Sequence, residues 1–273
     1  MTHPFLTIID APSLQNVLST TRVIDCRARL GDLDFGQRAY RESHIVGAVR
    51  GDLDTDFAAA PGRHGRHPLP DLDRLVQRCR EWGINNSTQV VVYDDMGGMF
   101  AARAWWLLRR LGHADVAVLD GGWQAWLSLP GACESTSTSP TLGNFTRRPP
   151  LTRETTAEDL LRRSPEVLLD ARAAERFAGI KEPIDHKAGH IPGARCLPAA
   201  GNLMQDQRFL SVAALKERFA DVTDDCVCYC GSGVTAAHNI LAMRIAGLPE
   251  PALYAGSWSE WIEDPTRPIA TGQ

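Results

Sequence analysis

Cys230 closes the short apolar run Val227-Cys228-Tyr229 and is followed by Gly231-Ser232-Gly233-Val234-Thr235 and the helix-prone stretch Ala236 to Ala246. A β-prone run, two glycines within four residues and a helix start describe a strand that delivers a thiol to a helix N-terminus. Glycines let successive backbone N–H groups turn inward without a Cβ clash, and those donors together with the helix dipole favour negative charge on sulfur. Such a loop suits a thiolate and its anionic adducts. Taken alone, the same residues also describe a buried cysteine before an ordinary strand-to-helix turn. Cys226, Cys228 and Cys230 alternate, so a regular strand turns all three to one face. Zinc sites take paired ligands on turns, and neither a second cysteine pair nor a histidine pair is present. Cys226 and Cys228 are therefore expected in the core, with no metal.

Seven cysteines, odd in number and irregularly spread, fit free thiols in a reducing compartment better than a disulfide framework. Lys+Arg 29 against Asp+Glu 33 leaves a net charge of −4, without the basic block that a phosphate backbone requires. Nucleic acid is excluded as a partner on that ground. The amino-terminal Met1-Thr2-His3-Pro4-Phe5-Leu6-Thr7 lacks a charged segment leading into an apolar one, and no apolar run is long enough to cross a bilayer. A cytoplasmic chain with no membrane partner is expected.

The elements that must position Cys230 occur twice. Thr21 to Arg27, an apolar strand ending in Asp25-Cys26-Arg27, returns as Glu166 to Arg172, with Asp25 and Asp170 145 residues apart. Ser43-His44-Ile45-Val46-Gly47-Ala48 returns as Gly189-His190-Ile191-Pro192-Gly193-Ala194, and the histidines are 146 apart. Gln89 to Asp95 matches Val227 to Cys230, and Gly122-Trp123-Gln124-Ala125-Trp126 matches Ser257-Trp258-Ser259-Glu260-Trp261 with an offset of 135. The drop in offset locates an insert in the first half, assigned to Pro61 to Pro70. Short apolar strands alternate with the helical segments Leu72 to Trp82, Ala101 to Leu111 and Val212 to Phe219, which predicts an α/β fold with a mostly parallel sheet flanked by helices, built twice. A Ser/Thr/Pro-rich linker from Leu129 to Pro150 puts the boundary near Gly143, giving domains 1–142 and 143–273. The paired tryptophans are expected in the cores. The basic run Arg63-His64-Gly65-Arg66-His67 in the insert either overhangs a cleft and draws anionic donors or is a solvated surface loop.

The tandem repeat, His190-Ile191-Pro192-Gly193-Ala194, the Cys230 to Thr235 loop and Gly256-Ser257-Trp258-Ser259-Glu260-Trp261 together resemble the two-domain rhodanese-type sulfurtransferases over nearly the whole chain. The resemblance implies two rhodanese-like domains, an inactive first copy, and a catalytic second copy carrying Cys230. Asp94 or Asp95 stands where the second half has its cysteine, and a carboxylate cannot accept a sulfane sulfur; both are read as loop residues capping the next helix. The Gly-Ser-Gly filling is similar to the 3-mercaptopyruvate branch, where thiosulfate-specific members more often place basic side chains after the cysteine. By that resemblance Arg176 is the first of two arginines that bind the substrate carboxylate and carbonyl, and the backbone N–H groups of the loop residues Gly231, Gly233, Val234 and Thr235 solvate the transferred sulfur. A second arginine is expected in a Glu-Pro-Arg run, but here the run is Glu182-Pro183-Ile184. Lys181, His186 or Lys187 could replace the charge, without bidentate geometry. Ser232 matches a serine that the branch hydrogen-bonds to a histidine and an aspartate of the first domain, for which His44 and Asp34 (or Asp32) are the candidates. Alternatively, since both copies have this histidine, His44 and His190 simply lock a turn.

The expected activity is sulfur transfer from 3-mercaptopyruvate through a Cys230 persulfide to a thiol acceptor such as thioredoxin or a low-molecular-weight thiol, or to cyanide, with no cofactor. Thiosulfate:cyanide transfer and a non-catalytic persulfide carrier are the alternatives. A cysteine-dependent phosphatase is set aside, because Ala236 follows Thr235 where that chemistry needs an arginine to clamp phosphate.

Overall fold

Runs of buried β-branched and apolar residues with polar breaks between them produce two five-stranded parallel sheets in the computed structural model, which describes residues 4–137 and 139–272. The amino-terminal reading at Met1 to His3 and the linker residue Thr138 lie outside the described residues. The chain divides into two compact units, one of residues 1–58, 70–151 and 205–209, the other of 59–69, 152–204 and 210–273. The polypeptide thus changes unit at Leu151–Thr152, and the segment 59–69, read from sequence as a first-half insert, is built into the second unit.

The sheet of the first unit runs Ile8–Ile9, Val116–Leu119, Gln89–Tyr93, Thr21–Asp25, Val49–Arg50, every neighbouring pair parallel. The sheet of the second runs Arg153–Thr155, Ala252–Tyr254, Cys226–Tyr229, Val167–Asp170, Arg195–Cys196, again all parallel. The order is the same in both, so the repeat in sequence is a repeat of topology. Both faces are covered, which is why the central strands QVVVY and CVCY are apolar throughout rather than alternating. In the first unit a short antiparallel ribbon pairs His44–Ile45 with Cys133–Glu134.

Register ties the two copies together residue by residue. Asp25 lies opposite Tyr93, and Asp170 opposite Tyr229. Each aspartate grips the arginine two residues on, with Arg27 Nη2 2.6 Å from Asp25 Oδ2 and Arg172 Nη2 2.6 Å from Asp170 Oδ2. Each arginine then donates to a backbone carbonyl, Ser43 or Gly189, and lies over an indole, Trp123 at 4.6 Å or Trp258 at 4.8 Å. These buried, bidentate and stacked pairs explain the Asp-x-Arg repeat as a structural brace, with both partners satisfied. The second core gathers Leu160, Leu168, Ile191, Val227, Tyr229, Tyr254, Trp258 and Trp261; the first gathers Leu14, Val23, Ile45, Val91, Tyr93 and Trp126 at matching places. Trp105, Trp106, Trp126, Trp258 and Trp261 are fully buried, as their spacing predicts. All seven cysteines are unpaired. No helix among the described residues is long and apolar enough to cross a membrane.

Candidate active site

The central strand of the second sheet ends at Tyr229, and Cys230 leaves its carboxyl end, where open parallel sheets place their ligand sites. The turn Cys230 to Gly233 leads into the helix Val234–Ile245, whose residues are buried almost all round, so the loop is anchored by a helix sunk in the core. Gly233 caps this helix in the left-handed region at φ 73°, and a Cβ there would run into the backbone of Ala255; the position requires glycine twice over. The loop backbone is clamped from the other side. Cys230 N–H donates to Ser257 Oγ at 3.1 Å, Trp258 N–H donates to Cys230 O at 3.0 Å, and Ser259 N–H donates to Gly231 O at 2.9 Å. The sulfur-bearing residue is therefore held by main chain and serine contacts that leave its side chain out of the bracing.

Ser232 is buried beside Cys230, and its Oγ lies 2.7 Å from Nδ1 of His67. His67 arrives from the segment 59–69. Gly62 and Gly65 exchange backbone hydrogen bonds to form a tight turn, and Gly65, at φ 97°, lies so close to Ser259 and Gly256 that a side chain would not fit. Arg66 N–H then donates to Ser259 Oγ at 3.1 Å, which sets the next residue, His67, against Ser232.

The histidine partner of Ser232 is thus His67, and the expectation for His44 is corrected. His44 is fully buried in the first unit; its Nδ1 lies 2.6 Å from Tyr40 O, and because a carbonyl only accepts, that nitrogen carries the proton. Its ring stacks on Tyr40 at 3.7 Å, and the nearest carboxylate is Glu134, 3.7 Å from Nε2. His190 repeats this at the same topological place, with Nδ1 2.9 Å from Phe177 O and the ring stacked on Phe177 at 3.7 Å. Both histidines lock a turn. Asp34 is exposed at the start of the helix Phe35–Glu42 without a side-chain cap, and Asp32 pairs with Arg38; neither contacts His44.

Arg176 is where the sequence places it, on the short helix Ala174–Phe177, with its Nε 3.0 Å from both oxygens of Glu182 and Nη2 2.9 Å from Asp185 Oδ2. The cation beside it is none of Lys181, His186 or Lys187, the first two of which are exposed. It is Arg66, whose Nη1 bonds Asp185 Oδ1. A Cβ on Gly231 would lie 2.8 Å from Arg66 Nη2 and 3.4 Å from Nη1 and Nη2 of Arg176, so two guanidiniums flank the residue that follows the cysteine. Ile184 is turned outward and half exposed. The basic run Arg63 to His67, read from sequence as either a loop over a cleft or a solvated surface loop, thus places Arg66 and His67 beside the Cys230 loop, with individual contacts that the run alone does not specify.

In the first copy the loop at this strand end is longer, reaching the helix Ala101–Arg110, and it is filled. Asp94 follows Tyr93 as Cys230 follows Tyr229, and Trp123 N–H donates to Asp94 O at 2.8 Å just as Trp258 does to Cys230 O. The Asp94 carboxylate, fully buried, accepts from the backbone N–H groups of Met96 and Gly98 (2.8 Å each), Phe100 (2.7 Å) and Ala101 (2.8 Å). Burial pushes this carboxyl above the usual range while the four donors pull it back. The expected helix-capping role is observed, at Phe100 and Ala101. Asp95 instead forms a two-pronged pair with Arg29 at 2.7 and 2.8 Å. Of the strand cysteines, Cys228 is raised well above the usual thiol range by its hydrogen bond with Cys226 and by burial. No group of side chains among the described residues is arranged to hold a metal ion.

Comparison with known proteins agrees with the repeat. A family model described as a rhodanese-like domain matches residues 10–129 and again 154–264. A protein of Pseudomonas aeruginosa named "Probable 3-mercaptopyruvate sulfurtransferase" is 49% identical over 261 residues, covering 92% of each chain. The thiosulfate sulfurtransferase of Gallus gallus is 34% identical over 254 residues, covering 88% of this chain and 86% of its own. Among solved structures, the 3-mercaptopyruvate sulfurtransferase of Leishmania major superposes with a TM-score of 0.86 at 32% identity, over 95% of this chain and 75% of that one.

Proposed function

The chain belongs to the rhodanese family as a tandem-domain sulfurtransferase, and from that premise we propose that Cys230 takes a sulfane sulfur from 3-mercaptopyruvate and passes it to a thiol. The Cys230 thiolate attacks the sulfur of the donor, the carbon–sulfur bond breaks, and its electron pair leaves on carbon as the enolate of pyruvate. That carbon takes a proton and pyruvate departs, leaving a persulfide on Cys230. The backbone donors of Gly231 to Thr235 and the start of the helix Val234–Ile245 solvate the anionic sulfur. The longer loop at the corresponding strand end of the first copy supports this role by analogy: there the Asp94 carboxylate is held by four backbone N–H donors. In the second half-reaction an acceptor thiolate attacks the outer sulfur, the sulfur–sulfur bond breaks and the Cys230 thiolate returns.

The observation that carries the choice of donor is the Ser232–His67 pair at 2.7 Å, two residues from the nucleophile. A leaving enolate needs a proton delivered at carbon, and a buried hydroxyl coupled to an imidazole is a means of delivering it; sulfite leaving from thiosulfate needs none. Arg176 orients the carboxylate of the donor. The acceptor is a small thiol or a thioredoxin-like dithiol, and seven unpaired cysteines suit a reducing, cytoplasmic setting.

The test is turnover. Purified protein with 3-mercaptopyruvate and a thiol is expected to release many equivalents of pyruvate, and Cys230→Ser none. A single stoichiometric burst would make the protein a persulfide carrier, and faster turnover of thiosulfate with cyanide would make thiosulfate the donor.

A further inference from the structure

We propose that Arg66 is the second substrate-binding guanidinium of this site, supplied by the 59–69 segment to do what Ile184 cannot. The assignment rests on the reading of Cys230 as the reacting thiolate. Three observations converge on it. Arg66 Nη2 is nearer to the Cβ position of Gly231 than either terminal nitrogen of Arg176, which places it at the residue directly after the nucleophile. Asp185 holds one guanidinium with each of its oxygens, Arg66 through Oδ1 and Arg176 through Oδ2, so the two planes are fixed as a pair by one buried carboxylate. Each arginine then keeps a terminal nitrogen that no group among the described residues accepts from, Nη2 on Arg66 and Nη1 on Arg176, and both lie next to Gly231.

The electrostatics fit the same picture. Burial and the neighbouring Arg176 lower the Arg66 pKa, and Cys230 acts in the opposite direction, which places Arg66 within the field of the thiol. Two cations this close would repel in isolation; Asp185 and Glu182 balance them, Glu182 also lying 3.4 Å from Arg172. A charge-balanced pair with two aimed, unaccepted N–H groups gives directional bonds rather than a broad positive field, the recognition a planar carboxylate takes. The ligand class is a short monocarboxylate whose electrophilic atom lies a few bonds from the carboxyl. Because His67 is the next residue, one five-residue loop brings both a donor-binding cation and the Ser232 partner.

The test uses two electrophiles that differ only in charge, so that it reads Arg66 whether or not 3-mercaptopyruvate is the donor. The rate of Cys230 alkylation is measured by peptide mass spectrometry with iodoacetate and with iodoacetamide, on wild type, Arg66→Leu and Arg66→Lys. Loss of a charge-assisted pair of bonds is expected to slow iodoacetate about 10- to 100-fold in Arg66→Leu while iodoacetamide stays within about twofold, with Arg66→Lys intermediate. With 3-mercaptopyruvate, KM is expected to rise by a similar factor and kcat to change far less. Equal slowing of both reagents, or no slowing of either, overturns the assignment and leaves Arg66 a brace for Asp185. If 3-mercaptopyruvate is not turned over at all but the charge ratio still collapses in Arg66→Leu, the donor reading fails and the assignment of Arg66 stands. Should Arg66→Leu fold poorly, the same ratio in Arg66→Lys decides: a ratio unchanged from wild type overturns the proposal.

Discussion

Replacing Ser232 by alanine separates the two possible donors more sharply than any other single change. The residue is 5% exposed, and its only function in the loop that the structure shows is the 2.7 Å contact with His67, since the neighbouring main chain is held by Ser257, Trp258 and Ser259 instead. Removing the hydroxyl takes this partner from the buried His67 ring and costs about 1 to 3 kcal/mol of stability, too little to unfold the chain. The kinetic cost is of a different size. A positioned proton donor contributes about 10²- to 10⁴-fold to a step that needs one, equal to roughly 3 to 5 kcal/mol of barrier. Pyruvate release from 3-mercaptopyruvate, followed continuously by coupling to lactate dehydrogenase, is therefore expected to fall at least about 100-fold in kcat. Thiocyanate formation from thiosulfate and cyanide, whose leaving group needs no proton, is expected to stay within about threefold. His67→Gln should follow Ser232→Ala on both donors. An equal fall on the two donors, or an unchanged pyruvate rate, refutes proton delivery through Ser232 and returns the serine to a structural role.

The filled loop of the first copy gives a stability prediction: Asp94→Ala leaves four buried N–H donors without their acceptor and is expected to cost about 3 to 5 kcal/mol in urea denaturation, with Asp94→Asn costing less. A change below about 0.5 kcal/mol would mean the carboxylate is not holding the turn. The buried thiols predict an alkaline limb. Burial raises Cys79 and Cys26 above the usual thiol range, so in the folded state they keep protons that the unfolded chain releases above pH about 8.5. Stability must then fall as pH rises past that value, by up to about 1.4 kcal/mol per pH unit for each such group, and be unaffected by it at neutral pH. Urea melts at pH 7.5 and 9.5 are expected to show a smaller drop for Cys79→Ala than for wild type; an identical drop contradicts the assignment.

Much of this molecule is legible in its sequence because the repeat is nearly unbroken. The Asp-x-Arg strands, the paired tryptophans and the apolar central strands are local patterns fixed by burial, and each returns in the structure at corresponding register positions. The positions of Cys230, at the end of the central strand, and of Arg176, on the short helix Ala174–Phe177, were legible for the same reason. The contacts of His67 and Arg66 were not. Their places depend on Gly65 lying against Gly256 and Ser259, nearly two hundred residues along the chain, and no periodicity records a contact of that kind. His44 was matched to the partner of Ser232 by resemblance alone, from its place before Ile45-Val46-Gly47-Ala48. Its Nδ1 proton is committed to Tyr40 O and its ring to Tyr40, a use that only the three-dimensional neighbourhood reveals.

Asp94 is a ligand covalently tied to its own receptor. Its occupancy of the four backbone donors does not depend on the concentration of any solute, so the first copy keeps its loop in the anion-holding shape at all times. In the second copy the shorter turn Cys230 to Gly233 carries a thiol, whose bound sulfur has to arrive and leave with every cycle. The carboxyl end of the central strand thus carries a permanent keystone in one half and an exchangeable socket in the other, on loops of different length. A cysteine placed at position 94 would therefore remove the keystone without supplying the short glycine turn that holds Cys230.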